Sequence, residues 1–273
     1  MLAEILQRPL CTKEFLVFEF NKLGINKGDT ILLHASLSRV GWVNGGAETV
    51  ISALLDVLGE DGTLVVPTHT GDNSDPAEWT SPYAPTTWWQ TIRDTMPAYD
   101  PRISQTRGMG VIPEMLRTWP GVIRSEHPQT SFAAIGPKAE KITAGHALDC
   151  RLGEESPLAR LEEVSARVLL LGTGYDTCTS FHLAEYRSSA KFESNSFAAM
   201  VEGSRRWVTV RDVVLSDDDF ETIGSHFETC KVVTKGLVGS ANCRLFSMPE
   251  AVAFATEWMQ VHRGRKEECI YGK

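Results

Sequence analysis

The 273-residue chain is 42% hydrophobic and 23% charged, the balance of a globular protein with enough apolar material for a core. Its net charge of −8 argues against nucleic acid or an anionic membrane as the main partner, since both select a basic face. The six cysteines (Cys11, Cys150, Cys178, Cys230, Cys243, Cys269) show no metal-ligand spacing, and Met1 to Leu6 lacks a basic start leading into an apolar segment; reduced thiols in a cytoplasm are expected, with no metal and no membrane span.

Thr12 to Leu23 is predicted as a helix capped by Thr12 and stopped at Gly24. Asp29 to His34 follows as a short apolar strand, Ala47 to Leu58 as a helix ending at Gly59, and Gly62 to Pro67 as a second strand. That helix, strand, helix, strand order points to a parallel sheet with helical crossovers. Gly71 to Pro85, rich in Asp, Ser, Pro and Trp, reads as a long loop, and helical spacing resumes from Trp88 to Thr95. Loops of this length in a compact domain carry function or disorder. Ser131 to Gly136 and Arg167 to Leu171 read as further strands.

From Phe192 the pattern changes. Phe192 to Val201 and Trp207 to Val214 flank the hairpin signal Glu202-Gly203-Ser204. Asp218 to Cys230 is helical, Lys231 to Gly236 and Ala241 to Phe246 are short strands, and Pro249 to His262 is a helix with proline near its start. The expected fold is α/β: a mostly parallel central sheet with flanking helices and an antiparallel elaboration in the C-terminal third. One domain over 1–273 is expected, with a two-lobed arrangement whose second lobe covers about 190–247.

The strongest chemical signal is Gly174-Tyr175-Asp176-Thr177-Cys178-Thr179-Ser180-Phe181-His182-Leu183-Ala184-Glu185, directly after the apolar run Val168 to Leu171. Residues three apart on a helix share a face, so His182 and Glu185 are neighbours. A histidine oriented by a carboxylate is a general base near neutral pH, and the carboxyl end of a strand is where open α/β sheets keep their ligands. Either Glu185 or Asp176 can hold the ring; the competing reading is an ordinary helix pair. Cys178 ranks lower as a nucleophile, because nothing in the sequence places a base beside its sulfur.

Other segments are more degenerate. His34-Ala35-Ser36-Leu37-Ser38-Arg39-Val40-Gly41, with Gly45-Gly46 before a helix, can present backbone N–H groups to an anion, or be a plain connection. Gln105-Thr106-Arg107-Gly108-Met109-Gly110 matches the pyrophosphate loop of GNAT acetyltransferases, but that loop follows a long strand and Pro101 breaks the segment before it. His127, before Pro128, reads as structural. Asp72, Asp75 and Glu78 lie in the Trp/Pro loop as a candidate substrate wall, and Asp217-Asp218-Asp219 reads as a helix start or a further acidic contact.

In order along the chain, several of these stretches resemble the aminoglycoside 3-N-acetyltransferase (antibiotic N-acetyltransferase) family, which is unrelated in fold to GNAT enzymes. The resemblance rests on His34 to Ser38 with Gly41 and Gly45-Gly46, on Gly62 to Thr68, on Arg124-Ser125 with His127-Pro128 and Ser131 to Gly136, and on Gly153 to Leu158. Gly172 to Glu185 and Gly236 to Ala241 complete it. It implies transfer of acetyl from acetyl-CoA to an aminoglycoside amine, the 3-amine of the 2-deoxystreptamine ring, conferring antibiotic resistance. By position, His182 resembles the catalytic base, with Glu185 or Asp176 orienting it and Thr68 facing the reaction centre. Ser36, Leu37, Ser38, Val40 and Gly41, with His34 and Arg124, match the coenzyme segment. Asp72, Asp75, Glu78 and Asp217 are the expected contacts for a cationic substrate. A cytoplasmic monomer or homodimer is expected, and the chemistry needs no metal. Acetylation of another amine and non-catalytic CoA binding are the alternatives; retention of both His182 and Glu185 argues against the second.

Overall fold

Short polar side chains set where several elements begin. The hydroxyl of Thr12 accepts the Phe15 N–H at 3.2 Å and starts a helix at Lys13, and Ser156 accepts the Leu158 N–H at 3.2 Å ahead of Pro157. Each satisfies a donor that the first helical turn leaves open. The computed structural model describes residues 9–81, 83–188 and 191–263; Met1 to Leu6 and Cys269 lie outside them.

In chain order the elements are β1 (Leu10–Cys11), α1 (Lys13–Lys22), β2 (Thr30–Ala35), α2 (Leu37–Val40), β3 (Trp42–Val43), α3 (Gly46–Leu58) and β4 (Thr63–Pro67). Then follow 3-10 turns at Pro76–Glu78 and Thr86–Trp88, α4 (Trp89–Thr95), α5 (Val111–Leu116), β5 (Ile123–Arg124), β6 (Phe132–Ile135), α6 (Ala139–Thr143), α7 (Pro157–Glu163) and β7 (Arg167–Leu171). A 3-10 turn at Tyr175–Thr177 leads into α8 (Phe181–Ser188). The remainder is β8 (Phe192–Val201), β9 (Ser204–Val213), α9 (Phe220–Cys230), β10 (Val233–Val238), β11 (Ala241–Ser247) and α10 (Met248–His262).

Seven strands form one sheet in the order β10-β11-β7-β2-β4-β6-β5. Its centre, β7-β2-β4, is parallel. Antiparallel strands extend it on both sides, β11 and β10 from the C-terminal third and β6 and β5 from the middle of the chain. Ile31 and Leu33 of β2 point into one core with Leu16, Ile51, Leu54 and Ile112 of α1, α3 and α5. Leu32 points into the other, with Ile142, Leu158, Phe181, Phe220 and Val252 from α6 to α10. Helices on both faces explain why β2 and β7 are continuous apolar runs rather than alternating ones.

The hairpin β8–β9 is a separate two-stranded sheet. Its two-residue turn has positive φ at Glu202 and Gly203, 50° and 74°, as a tight hairpin turn of this hand demands. Asn73 pairs with both backbone groups of Ala198, at 2.8 Å each, and buried Asp212 accepts from Tyr186 Oη at 2.6 Å and Arg151 Nε at 3.1 Å. The stretch read as a second lobe is thus divided: 192–213 forms this docked hairpin, whereas β10 and β11 belong to the main sheet.

One close approach carries a stability prediction. Gly224, within α9, lies against the ring of Tyr175, and a Cβ there would overlap ring atoms. Alanine in a helix gains about 1 kcal/mol over glycine, but overpacking a filled core costs about 1–3 kcal/mol. Since Tyr175 is 1% exposed and locked between Phe181 and Phe246, it cannot swing away. The upper end of that cost therefore applies, a net loss of about 2 kcal/mol, and Gly224→Ala is expected to lower Tm by roughly 4–8 °C at ~2–4 °C per kcal/mol. An unchanged or raised Tm in calorimetry would contradict this packing.

Candidate active site

The parallel strands β7, β2 and β4 end on the same edge of the sheet, and a cleft of about 640 Å³ opens there. The end of β2 contributes His34 and the chain leaving it Ser36 to Ser38; Pro67 and His69 come from the end of β4. Thr173, Asp176, Thr177, Thr179 and His182 follow β7, and Gly108 to Pro113, Asp217 and Phe220 complete the wall. The carboxyl ends of parallel strands are where connections splay apart and leave room for ligands.

His182 and Glu185 share one face of α8, and His182 Nδ1 lies 2.6 Å from Glu185 Oε2. The carboxylate is wholly buried, whereas 17% of the imidazole is exposed. The ring also packs against Phe220, with centroids 4.8 Å apart. Glu185 Oε1 accepts the Ser216 N–H at 3.0 Å and a guanidinium N–H of Arg263. Held by the carboxylate, Nδ1 keeps the proton of the neutral ring and Nε2 is left as the acceptor. Glu185, not Asp176, makes this contact; Asp176 is an exposed residue of the same cleft.

Two further histidines stand in the wall. Burial, reinforced by the neighbouring His182, pushes both His34 and His69 down to about 3. Both are uncharged at neutral pH, so they offer hydrogen bonds without repelling a cation. Their buried Nε2 atoms, and the Thr173 hydroxyl, have no partner among the described residues. Buried polar atoms of this kind are nearly always satisfied, which fits a cleft built to receive a polar ligand. Cys178 is excluded as a nucleophile: it is fully buried, its Sγ lies 3.1 Å from Ser180 Oγ, and burial pushes the thiol up to about 12. No group of three or more His, Cys, Asp or Glu side chains among the described residues is placed to hold a metal ion.

The family model for aminoglycoside 3-N-acetyltransferases matches residues 32–260. The chain belongs to the aminoglycoside 3-N-acetyltransferase family. It is 46% identical to the SPbeta prophage-derived aminoglycoside N(3')-acetyltransferase-like protein YokD of Bacillus subtilis (strain 168), over 90% of this chain and 92% of that one. The crystal structure of YokD superposes with a TM-score of 0.93, covering 94% of this chain and 96% of the other at 44% identity. Aminoglycoside N(3)-acetyltransferase VII of Streptomyces paromomycinus is 38% identical over 93% of each chain. A structure of AAC-IIIb as a binary with CoASH is 32% identical, with a TM-score of 0.83 over 93% of this chain and 97% of that one.

The site residues expected for an aminoglycoside 3-N-acetyltransferase fall into two groups. His182, Asp176, His34, Ser36, Leu37, Ser38 and Asp217 line the cleft, with Glu185 buried behind His182. The others do not line it. Thr68, expected at the reaction centre, is wholly buried; its hydroxyl accepts from Arg124 Nε at 3.1 Å and its carbonyl from Ser131 Oγ at 2.8 Å. Alternation off β4 explains this, since Pro67 and His69 face the cleft and Thr68 turns away. Arg124, expected on the coenzyme, is buried too, and serves the carbonyls of Thr68, Pro101 and Ser104. Val40 is a core residue, and Gly41, with φ of 111°, ends α2 in a conformation that favours glycine.

The acids of the long loop are likewise outside the cleft. Asp75 accepts both Arg93 nitrogens at 2.8 and 3.0 Å and caps the 3-10 turn at Ala77 N. Asp72 pairs with Arg107 at 3.5 Å, and burial with nearby Asp75 raises the Glu78 carboxyl. His127 is buried and engaged at both nitrogens, by Gln129 and Thr130 N–H groups and the Leu148 carbonyl. His69 and the Gly108 to Pro113 wall were not anticipated. His69 directly follows the apolar strand β4, and Gly108 to Gly110 lie in the segment whose likeness to the GNAT loop is broken by Pro101.

Proposed function

We propose that this chain transfers the acetyl group of acetyl-CoA to the 3-amine of a 2-deoxystreptamine aminoglycoside, with His182 as general base and Glu185 orienting it. The observation that carries the reading is the His182–Glu185 pair, 2.6 Å apart, standing in the strand-end cleft of a chain from this family. An aminoglycoside amine is largely an ammonium at neutral pH and cannot attack until it loses a proton. His182 Nε2 accepts that proton, directly or through water, and the freed amine then attacks the thioester carbonyl carbon. The C–N bond forms and the C–S bond breaks; the nitrogen of the adduct gives up a second proton, which the departing thiolate takes, and His182 passes the first to solvent, so charge and atoms balance.

Ser36 to Ser38, at the start of α2, and the facing glycine wall at Gly108 to Gly110 are assigned to the coenzyme arm. Hydrogen-bond donors for the carbonyl oxygen as it gains charge are the Thr173 hydroxyl and the uncharged imidazoles of His34 and His69, which carry buried polar atoms with no partner among the described residues. Asp176 and Asp217 supply negative charge for the acceptor's ammonium groups. A net charge of −8 favours approach of a polycation.

The test is thiol release from acetyl-CoA against a panel of 2-deoxystreptamine aminoglycosides, with the product mapped by NMR. At least one aminoglycoside is expected to release thiol and to gain a single acetyl group on its 3-amine. Release with no member of the panel would overturn the reading.

A further inference from the structure

Arg263, immediately after α10, reaches the dyad from a position 78 residues beyond Glu185 in the chain. One guanidinium nitrogen donates to Glu185 Oε1, a second to the Ser216 carbonyl at 3.0 Å, and Nε to Asp219 Oδ2 at 3.2 Å. We propose that Arg263 is a positioning residue for acetyl transfer, clamping Glu185 in the orientation that fixes His182 and tying down the 216–219 turn that presents Phe220 to the ring. The inference rests on the reading of His182 as the base.

The argument follows from the two oxygens of one buried carboxylate. Oε2 is committed to His182, so Oε1 must be held elsewhere for the group to keep its plane. Its partners are the Ser216 N–H and Arg263. A fully buried carboxylate stripped of its cation is costly, and the last torsion of a glutamate is soft and nearly two-fold. Without Arg263, Glu185 is left with the Ser216 N–H at Oε1, and rotation then breaks the 2.6 Å contact to Nδ1. The guanidinium fork serves three acceptors at once, which a lysine ammonium on a flexible stem does not reproduce. Arg263 does not line the cleft, so it acts through Glu185 and the turn and not on substrate.

The test compares the full chain with Arg263→Ala and Arg263→Lys by steady-state kinetics, thermal melting and proton NMR of the His182 Nδ1–H resonance, assigned by its loss in His182→Ala. In Arg263→Ala, kcat is expected to fall on the order of 10- to 100-fold, as for loss of an outer partner of a functional ligand. KM for acetyl-CoA stays within about two-fold, because no coenzyme contact is removed. The low-field resonance shifts or broadens, and millimolar methylguanidinium restores part of both signals where sodium chloride does not. Arg263→Lys, which keeps the charge, loses less, and it carries the test if the alanine variant does not fold. An unmoved resonance with kcat lost only in proportion to the folded fraction, or an unchanged kcat in either variant, overturns the proposal. The resonance is read without substrate, so its result stands apart from failure of the aminoglycoside assay.

Discussion

His182→Ala is expected to lower kcat for aminoglycoside acetylation by about 10²- to 10⁴-fold, the range spanned by a lost general base, while affinity for CoA stays nearly intact. The size of the loss depends on whether another group can take the proton. His34 and His69 stand in the same wall, but burial holds both near 3. A base whose conjugate acid ionises near 3 holds a proton about 10³- to 10⁴-fold less well than an ordinary imidazole, which makes either a poor substitute at neutral pH. Cys178, pushed up to about 12 and buried, cannot stand in either. The fold is expected to survive, because the ring lies at the cleft surface and the space it leaves opens to solvent. Steady-state kinetics with calorimetric titration of CoA decide the matter: a kcat within about three-fold of wild type, or a large loss of CoA affinity, contradicts the role of base.

The pattern that was legible in the chain was the locally periodic part. The apolar runs of β2, β4 and β7 and the caps at Thr12 and Gly59 are written in neighbouring residues, and all stand close to where they were expected. His182 and Glu185 were legible for the same reason, since a helix forces residues three apart onto one face. What was not legible depends on pairing across distance. β5 is only Ile123–Arg124, too short to carry a period, yet it extends the sheet antiparallel to β6. Thr68 and Arg124 look like site chemistry in sequence, but one residue of alternation turns the hydroxyl inward, where the guanidinium satisfies it. Asp75 reads as a substrate contact until Arg93, 18 residues on, is found to occupy it. No local signal connects Arg263 to Glu185, because the contact exists only once α10 packs on α8.

Glu185→Gln is expected to be nearly as damaging as loss of the imidazole, for a reason that the hydrogen-bond directions dictate. The carboxylate accepts at both oxygens: Oε2 from His182 and Oε1 from the Ser216 N–H and Arg263. Glutamine has one accepting oxygen and one donating NH₂ group. Ser216 N–H and Arg263 are donors that cannot reverse, so the amide oxygen must face them and the NH₂ must face Nδ1. Nδ1 then becomes an acceptor, the ring proton moves to Nε2, and the nitrogen in the cleft is no longer free to accept from the ammonium. The substitution is nearly isosteric, so the cleft keeps its shape and KM for acetyl-CoA stays within about two-fold, while kcat falls about 10²- to 10⁴-fold. Nitrogen NMR of the labelled ring reads the tautomer directly, and the prediction requires the protonated nitrogen to change from Nδ1 to Nε2. A variant that keeps Nδ1–H contradicts the hydrogen-bond directions assigned around residue 185, and one that turns over at near wild-type rate with the tautomer reversed would show that proton removal does not pass through His182.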